Sequence, residues 1–280
     1  MKKLLLVDGH NLLFQMFYGM PARIVNAQGK AIHGTLGFIG ALLKIIRRVS
    51  PTHTLVLFDG EHANPRTALD AEYKSNRPDY SAMEEEETPF SQLPDVYAAL
   101  DFLHIAHAET TDCETDDMIA SYVFEYEQDA EIVISSFDSD FFQLISPRVT
   151  VLRYRGDATQ LITPEVIQSK FGISPAQYAD FKSLTGDNAD NIRGADKIGP
   201  KTAALLLNRF GSLDSILAHA DEIAKPSVRE SIHRNAERLR LNQQLVTLCD
   251  GAARPFALDA LECKIGGITT TDVLRGIGLR

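Results

Sequence analysis

Apolar and polar positions fall in alternating blocks along the first two-thirds of the chain. Four short runs, KKLLLVDG (2–9), THTLVLFDG (52–60), EIVISSFDSD (131–140) and RVTVLRY (148–154), are almost continuously apolar. That is the pattern of strands covered on both faces. Between them GTLGFIGALLKIIRRV (34–49), QLPDVYAALDFL (92–103) and DDMIASYVFEYEQ (116–128) carry apolar residues at helical spacing. Strand and helix in alternation predict an α/β fold, with a mainly parallel central sheet flanked by helices. Ligands of such sheets gather at the carboxyl ends of the strands. Asp8, Asp59, Asp138 and Asp140 all fall there, so several acids are aimed at one place.

From about Thr163 the texture changes to short helices punctuated by glycine: PEVIQSKFG, PAQYADFKSLTGD, GPKTAALLLNRFG and a longer RESIHRNAERLRLNQQL. The expected organisation is an α/β domain over 1–162 and an attached helical region over 163–280. No internal repeat is visible. The one biased segment, AMEEEETPF, holds the acidic run Glu84–Glu87 and reads as a solvated, mobile loop.

Composition narrows the class. The chain has 280 residues, 44% hydrophobic and 24% charged, enough for an ample core. Cys113, Cys249 and Cys263 are far apart and form no C-x-x-C pair. A reducing, cytoplasmic setting is expected, with neither a disulfide framework nor a zinc site. The opening MKKLLLVDG resembles a signal peptide only as far as Val7, because Asp8 interrupts the apolar run. No stretch is long enough to span a membrane, and a monomer is the default. The formal charge of -10 argues against a protein that merely coats nucleic acid. It leaves a nuclease open, because bound cations restore positive charge where carboxylates collect.

The candidate acids are Asp8, Asp59, Glu114, Asp116, Asp117, Asp138, Asp140, Asp187 and Asp190. Glu114 to Asp117 open a helix, where ordinary capping would also favour acids. Asp138 and Asp140 share a face if extended, and Asp187 and Asp190 meet on a turn or helix start. Each pair alone is weak, because turns are rich in Asp. Together they are not: two carboxylates 4 Å apart repel by about 4 kcal/mol at an intermediate dielectric. A pocket receiving many of them must protonate several or hold cations. Oxygen-only ligands indicate Mg²⁺ or Mn²⁺, and this many suffice for two ions, the apparatus of in-line displacement at phosphorus.

Two further stretches suit phosphate. In IGPKTAALL, Ile198, Gly199 and Thr202 begin a helix after a tight turn, with free N–H groups and Lys201 beside them. A P-loop is rejected: counted from Gly194, the lysine position is occupied by Pro200. In PRTALDAEYKSNRP, a helix would put Arg66, Tyr73 and Arg77 on one face with Lys74 nearby, suited to a scissile phosphate and an unstacked base. An exposed helix anchored in the core by Tyr73 would carry the same stripe.

LLLVDGHNLLF, LVLFDG, EYKSNRP, CETDDMIA, SSFDSDFFQL and GDNADNIRGADKIGPKTA, in that order, resemble the 5′-nucleases: flap endonucleases, bacteriophage 5′-exonucleases and the N-terminal nuclease domain of bacterial DNA polymerase I. The resemblance runs to about residue 250, and GDNADNI…IGPKTA is its most specific part. It implies a catalytic sheet domain, a helical arch over about 66–92 and a helix-three-turn-helix element. Asp8, Asp59, Glu114 and Asp116 would form a first metal site; Asp138, Asp140, Asp187 and Asp190 a second, with Asp116 between and Asp117 acting through water. Lys74 and Arg66 would sit near the scissile phosphate, Tyr73 against a base. Gly199, Lys201 and Thr202 would hold duplex phosphates, often with K⁺.

The chain departs from that pattern at Phe137, where many relatives have Gly, at Gln15, where many have Arg, and in a longer Glu84–Glu87 segment. It lacks no acid of the second site and ends without polymerase sequence, as a free-standing form would. The expected activity is a Mg²⁺-dependent 5′-3′ exonuclease and flap endonuclease of replication and repair, acting on DNA with 5′ flaps or ends; RNA–DNA primers remain open as substrates. Rival readings are a non-catalytic binder of branched DNA, a metal-dependent RNase, and a phosphatase using Asp8, which would want a second Asp at position 10, where His10 stands.

Overall fold

The four apolar runs form the strands β1 (Lys2–Asp8), β2 (His53–Phe58), β4 (Ala130–Ser135) and β5 (Val149–Arg153) of one sheet. Two further strands, β3 (Ala106–Glu109) and β6 (Gln160–Ile162), close its edges. The computed structural model describes residues 2–62, 65–78, 80, 83–84 and 87–280. Strand order is β3-β2-β1-β4-β5-β6, with every pair parallel except the antiparallel β5–β6. The chain walks outward from β1 to β3, then restarts on the other side of β1 with β4. That reversal opens a crevice beyond the carboxyl ends of β1 and β4, where open α/β sheets bind ligands.

Along β1, successive side chains point to opposite faces. Leu5 and Val7, with Val56 and Phe58 of β2, pack under α1 (Gly9–Gly19), α2 (His33–Val49), α3 (Leu93–Phe102) and the last helix of the chain. Leu4 and Leu6, with Leu55, Leu57, Ile132 and Ile134, face α4 (Thr115–Tyr126). Removing each such side chain from water contributes about 2 kcal/mol.

That second core does not stop at the sheet. It continues through Phe141 and Phe142 into α5 (Pro164–Phe171), α6 (Tyr178–Thr185), α7 (Pro200–Phe210), α8 (Leu213–Ala218) and α9 (Pro226–Val246). Between α6 and α7 the chain makes a two-stranded hairpin, β7 (Gly186–Asp187) and β8 (Ile192–Arg193). The final helix, α10 (Thr270–Gly276), sits on α2 and α3 through Val273 and Leu274. Among the described residues no helix is long and apolar enough to cross a membrane.

The segment after β2 differs from the helix expected over 65–78. It forms a 3-10 turn at Pro65–Ala68 followed by tight turns. Asp70 Oδ1 accepts the Glu72 N–H (2.9 Å) and Lys74 has a φ of +57°, so side-chain turn chemistry replaces the helical ladder. Among the described residues of 66–92 the helical elements are 3-10 turns. Glu85 and Glu86 of the acidic run lie outside the described residues; Glu84 and Glu87 are exposed.

The β7–β8 hairpin requires glycine where its two arms meet. A Cβ on Gly194 would lie 2.3 Å from the carbonyl carbon of Thr185, and Gly186 has a φ of +79°. Gly194→Ala is therefore expected to destabilise the protein by about 2 kcal/mol or more. A urea midpoint equal to that of the unsubstituted protein would contradict this.

Candidate metal centre

Asp8 ends β1 and caps α1: its Oδ1 accepts the Asn11 N–H (3.0 Å) and its Oδ2 accepts the Ser136 hydroxyl (2.8 Å). Ser136 Oγ accepts the Asp138 N–H (3.0 Å), and Asn11 Oδ1 accepts the Phe137 N–H (3.0 Å). Asn11 and Ser136 thus lace the ends of β1 and β4 together and aim Asp8 and Asp138 at the crevice. Asp138 Oδ1 in turn accepts the Asp140 N–H (2.8 Å).

Asp59 follows β2. Its Oδ1 accepts the Thr115 N–H at the start of α4 (2.8 Å), while its own N–H donates to His10 Nδ1 (3.1 Å). Glu114 and Asp116 open α4. Asp8, Asp59, Glu114, Asp116 and Asp138 all line one open cavity of about 1540 Å³, with Lys74, Arg77 and Arg155 as its cations.

A second group lies outside the lining of that cavity. Asp140, Asp187 and Asp190 each offer a carboxylate oxygen within 4.8 Å of the others. The β7–β8 turn delivers Asp187 and Asp190, and the spacing of three residues does bring them together. The same turn fixes Lys74 and Arg77. Lys74 N–H donates to Asp190 O (3.0 Å), Asn76 Nδ2 to Asn188 O (2.8 Å), Asn191 Nδ2 to Glu72 O (2.9 Å), and Arg77 to Asp190 Oδ1 (2.9 Å).

Arg66 and Tyr73 are placed elsewhere than at an open phosphate or base. Arg66 is 6% exposed and forks onto Asp117 (2.7 and 2.8 Å), with a further bond to Glu114 (2.5 Å). Asp117 Oδ1 also accepts the Cys249 N–H (2.9 Å), so this pair staples α4 to the end of α9. Tyr73 is 5% exposed in a small cluster with Ile192, Leu245 and Val246, its hydroxyl towards Glu114 (3.4 Å). Neither lines the cavity. Lys74 contacts Glu114 and does line it.

Burial and the neighbouring carboxylates push Asp8 and Asp140 up to about 7, and Asp116 well above the carboxylate range. Burial opposes the charge of Lys74, yet Asp116 and Glu114 hold it protonated. Burial likewise opposes Lys182, a residue that the sequence pattern did not single out, and Asp140 and Asp187 outweigh it. An all-oxygen donor set that is short of positive charge suits a hard divalent cation, and the residues present fit one at either group.

The turn at 194–199 leads into α7. Ile198 is buried, Gly199 and Lys201 are exposed, and the first bond of the helix runs from Ala203 N–H to Gly199 O (3.0 Å). The first-turn N–H groups therefore have no helical carbonyl to bond and are available to an anion. Lys197, with a φ of +64°, adds an exposed cation there.

Comparisons with known proteins cover nearly the whole chain. Residues 3–172 match the family model for the 5′-3′ exonuclease N-terminal resolvase-like domain, and residues 173–267 that for the 5′-3′ exonuclease C-terminal SAM fold. DNA polymerase I of Rhizobium leguminosarum is 37% identical over 266 residues, 92% of this chain and 26% of that protein. DNA polymerase I of Bacillus subtilis is 32% identical over 267 residues, 93% of this chain and 29% of that protein. The chain thus spans under a third of the length of these curated relatives. The T5 D15 protein, co-crystallised with metal ions, has the same fold: TM-score 0.71 at 23% identity, covering 88% of this chain and 90% of that one.

Two outcomes follow from this geometry. Arg66→Gln leaves Asp117 without its buried cation and Glu114 with Lys74 alone, and should cost about 3–5 kcal/mol of stability; a phosphate-binding arginine at the surface would leave the melting temperature unchanged. The pH effect runs the other way from ordinary acid denaturation. Carboxylates raised from 3.8 to about 7 bind more protons folded than unfolded, so their contribution falls as pH rises through that window. In EDTA, melting curves of Asp140→Asn should therefore lose less stability between pH 5 and about 8 than those of the unsubstituted protein.

Proposed function

The chain belongs to the 5′-3′ exonuclease family, and from that premise we propose that it is a divalent-metal-dependent, structure-specific 5′-nuclease that hydrolyses DNA phosphodiesters at junctions of single strand and duplex. The observation that carries this reading is the convergence of Asp8, Asp116 and Asp138 with Lys74 and Arg77 on one open cavity, backed by Asp140, Asp187 and Asp190. Residues 1–162 are assigned the chemistry and 163–280 the grip on duplex. The substrates are DNA with 5′ flaps or ends, RNA–DNA primers included, and the protein works as a monomer in the cytoplasm.

Asp8, Asp59, Glu114 and Asp116 would hold one Mg²⁺, and Asp138, Asp140, Asp187 and Asp190 a second, with Mn²⁺ able to replace either. Bound there, the ions supply a nucleophile at neutral pH and neutralise the leaving oxygen. The chain itself does the positioning. Lys74, fixed by the Asp190 carbonyl, and Arg77, fixed by the Asp190 carboxylate, present their charges to the scissile phosphate, where charge develops in the transition state. Arg66 and Asp117 act one layer back by holding Glu114 and α4 in place. Gly199, Lys201 and Thr202 would hold the duplex backbone without reading sequence, and a K⁺ held at the turn before α7 would supply further positive charge for the phosphates.

The test is product sizing on a duplex with a labelled 5′ flap, in Mg²⁺ and in EDTA. A Mg²⁺-dependent product of about flap length is expected, and Asp138→Asn should cut the rate about a hundredfold or more while DNA affinity changes little. Intact binding without cleavage in either Mg²⁺ or Mn²⁺ would replace this reading by a non-catalytic binder of branched DNA. Equal losses of cleavage and binding in Asp138→Asn would remove that residue from the chemistry.

A further inference from the structure

Lys182 lies on α6 and is only 5% exposed, yet it carries a full charge into the second carboxylate group. Its Nζ contacts Asp140 Oδ1 and Asp187 Oδ2. These belong to the three side chains whose oxygens lie within 4.8 Å of one another. The third, Asp190, takes Arg77 instead (2.9 Å). Among the described residues, three acids therefore share two cations of the chain, and only Lys182 sits between two of them.

A divalent ion needs the same place. Mg²⁺ holds its oxygens at about 2.0–2.1 Å and demands near-octahedral geometry, so an ammonium bonded to both Asp140 and Asp187 excludes it from those atoms. Lys182 has cause to be there when the ion is not. Asp140 is 5% exposed, and an unpaired carboxylate at that depth is costly. Lysine suits the role better than arginine would: its charge is compact and sits on a flexible four-carbon stem that can withdraw without disturbing the backbone.

We propose that Lys182 is a resident counter-ion of the Asp140, Asp187 and Asp190 group, and that it competes with the second divalent ion for the carboxylates. This rests on the reading of that group as a metal site. Among the described residues no cation of the chain bonds two aspartates of the first group: Lys74 pairs directly with Glu114, while Asp116 helps to hold its charge. The two ions therefore bind unequally, the second only after Lys182 has swung off Asp140 or Asp187. Lys182 is a positioning residue in this scheme, keeping the ligands in register for an ion that arrives later.

Calorimetric titration with Mn²⁺ in the absence of DNA tests this on the full chain, Lys182→Met and Lys182→Arg, with melting curves in EDTA alongside. Lys182→Met should bind the second ion about tenfold or more tightly, melt earlier in EDTA, and regain its stability in Mn²⁺. Lys182→Arg keeps the charge and should keep the weak second site. If the second ion binds Lys182→Met no more tightly than the parent, competition is overturned although the metal site stands. If Asp187→Asn titrates like the parent and neither lysine variant shows a second ion, the reading of the group as a metal site falls, and competition with it. Should Lys182→Met fail to fold in EDTA, the ¹⁵N-lysine ammonium signals of the unsubstituted protein decide. A Lys182 signal that shifts only as the second equivalent of Mg²⁺ is added supports the proposal, and one that stays fixed overturns it.

Discussion

Mutual repulsion among carboxylates governs this molecule. A parallel sheet with an acid at the end of several strands concentrates negative charge where the dielectric is low, and each addition makes the next harder to ionise. The fold answers with internal cations placed one per difficulty: Arg66 across Glu114 and Asp117, Lys74 on Glu114, Lys182 between Asp140 and Asp187, Arg77 on Asp190. Even so, burial and the neighbouring carboxylates push Asp8 and Asp140 up to about 7 and Asp116 well above the carboxylate range, so protons make up the remaining difference. The preorganisation that makes the centre fit for divalent ions is thus the reason it is unstable without positive charge.

Segments far apart in the chain supply those cations, and this explains several details of the architecture. The turns of 70–77 serve better than a helix would, because the left-handed Lys74 lets its N–H reach Asp190 O while its side chain turns to Glu114. Asn76, Asn191 and Arg77 then tie that segment to the β7–β8 turn. Asn242 of α9 fixes the hairpin from the other side, donating to Ser183 O and Arg193 O (2.9 Å each). Placing a charge to within a fraction of an ångström takes a supporting layer of this kind.

Much of this could be read from the sequence, for a definite reason. β1, β2 and β4 are buried on both faces, so their apolar runs are unbroken and the acids that end them stand out. β3, AHAE, is half-buried at the edge and carries residues of poor strand propensity, which hides it. Arg66 and Tyr73 were legible as a basic and aromatic stripe, but the stripe presumed a helix that Asp70 prevents, and their burial depends on Thr247, Leu245 and Val246, some 170 residues further along. Lys182 left one faint signal: it stands between Phe181 and Ser183 in a turn of α6 that is otherwise wholly buried. A lone lysine in such a turn needs a partner, and GDNAD follows within a few residues.

Seven residues separate Asp190 from Ile198, and that short connection has its own consequence. It leaves Ile192 N-terminal to a tight run in which Ala195 N–H is pinned to Leu184 O (3.0 Å) and Ile198 N–H to Ala195 O (3.2 Å). On the function proposed above, the acids that address the scissile bond and the helix start that clasps the duplex are two marks on one stiff rule. Such a rule counts nucleotides by its own length: the cut would fall at a constant offset from the clasped phosphates, whatever the sequence between them.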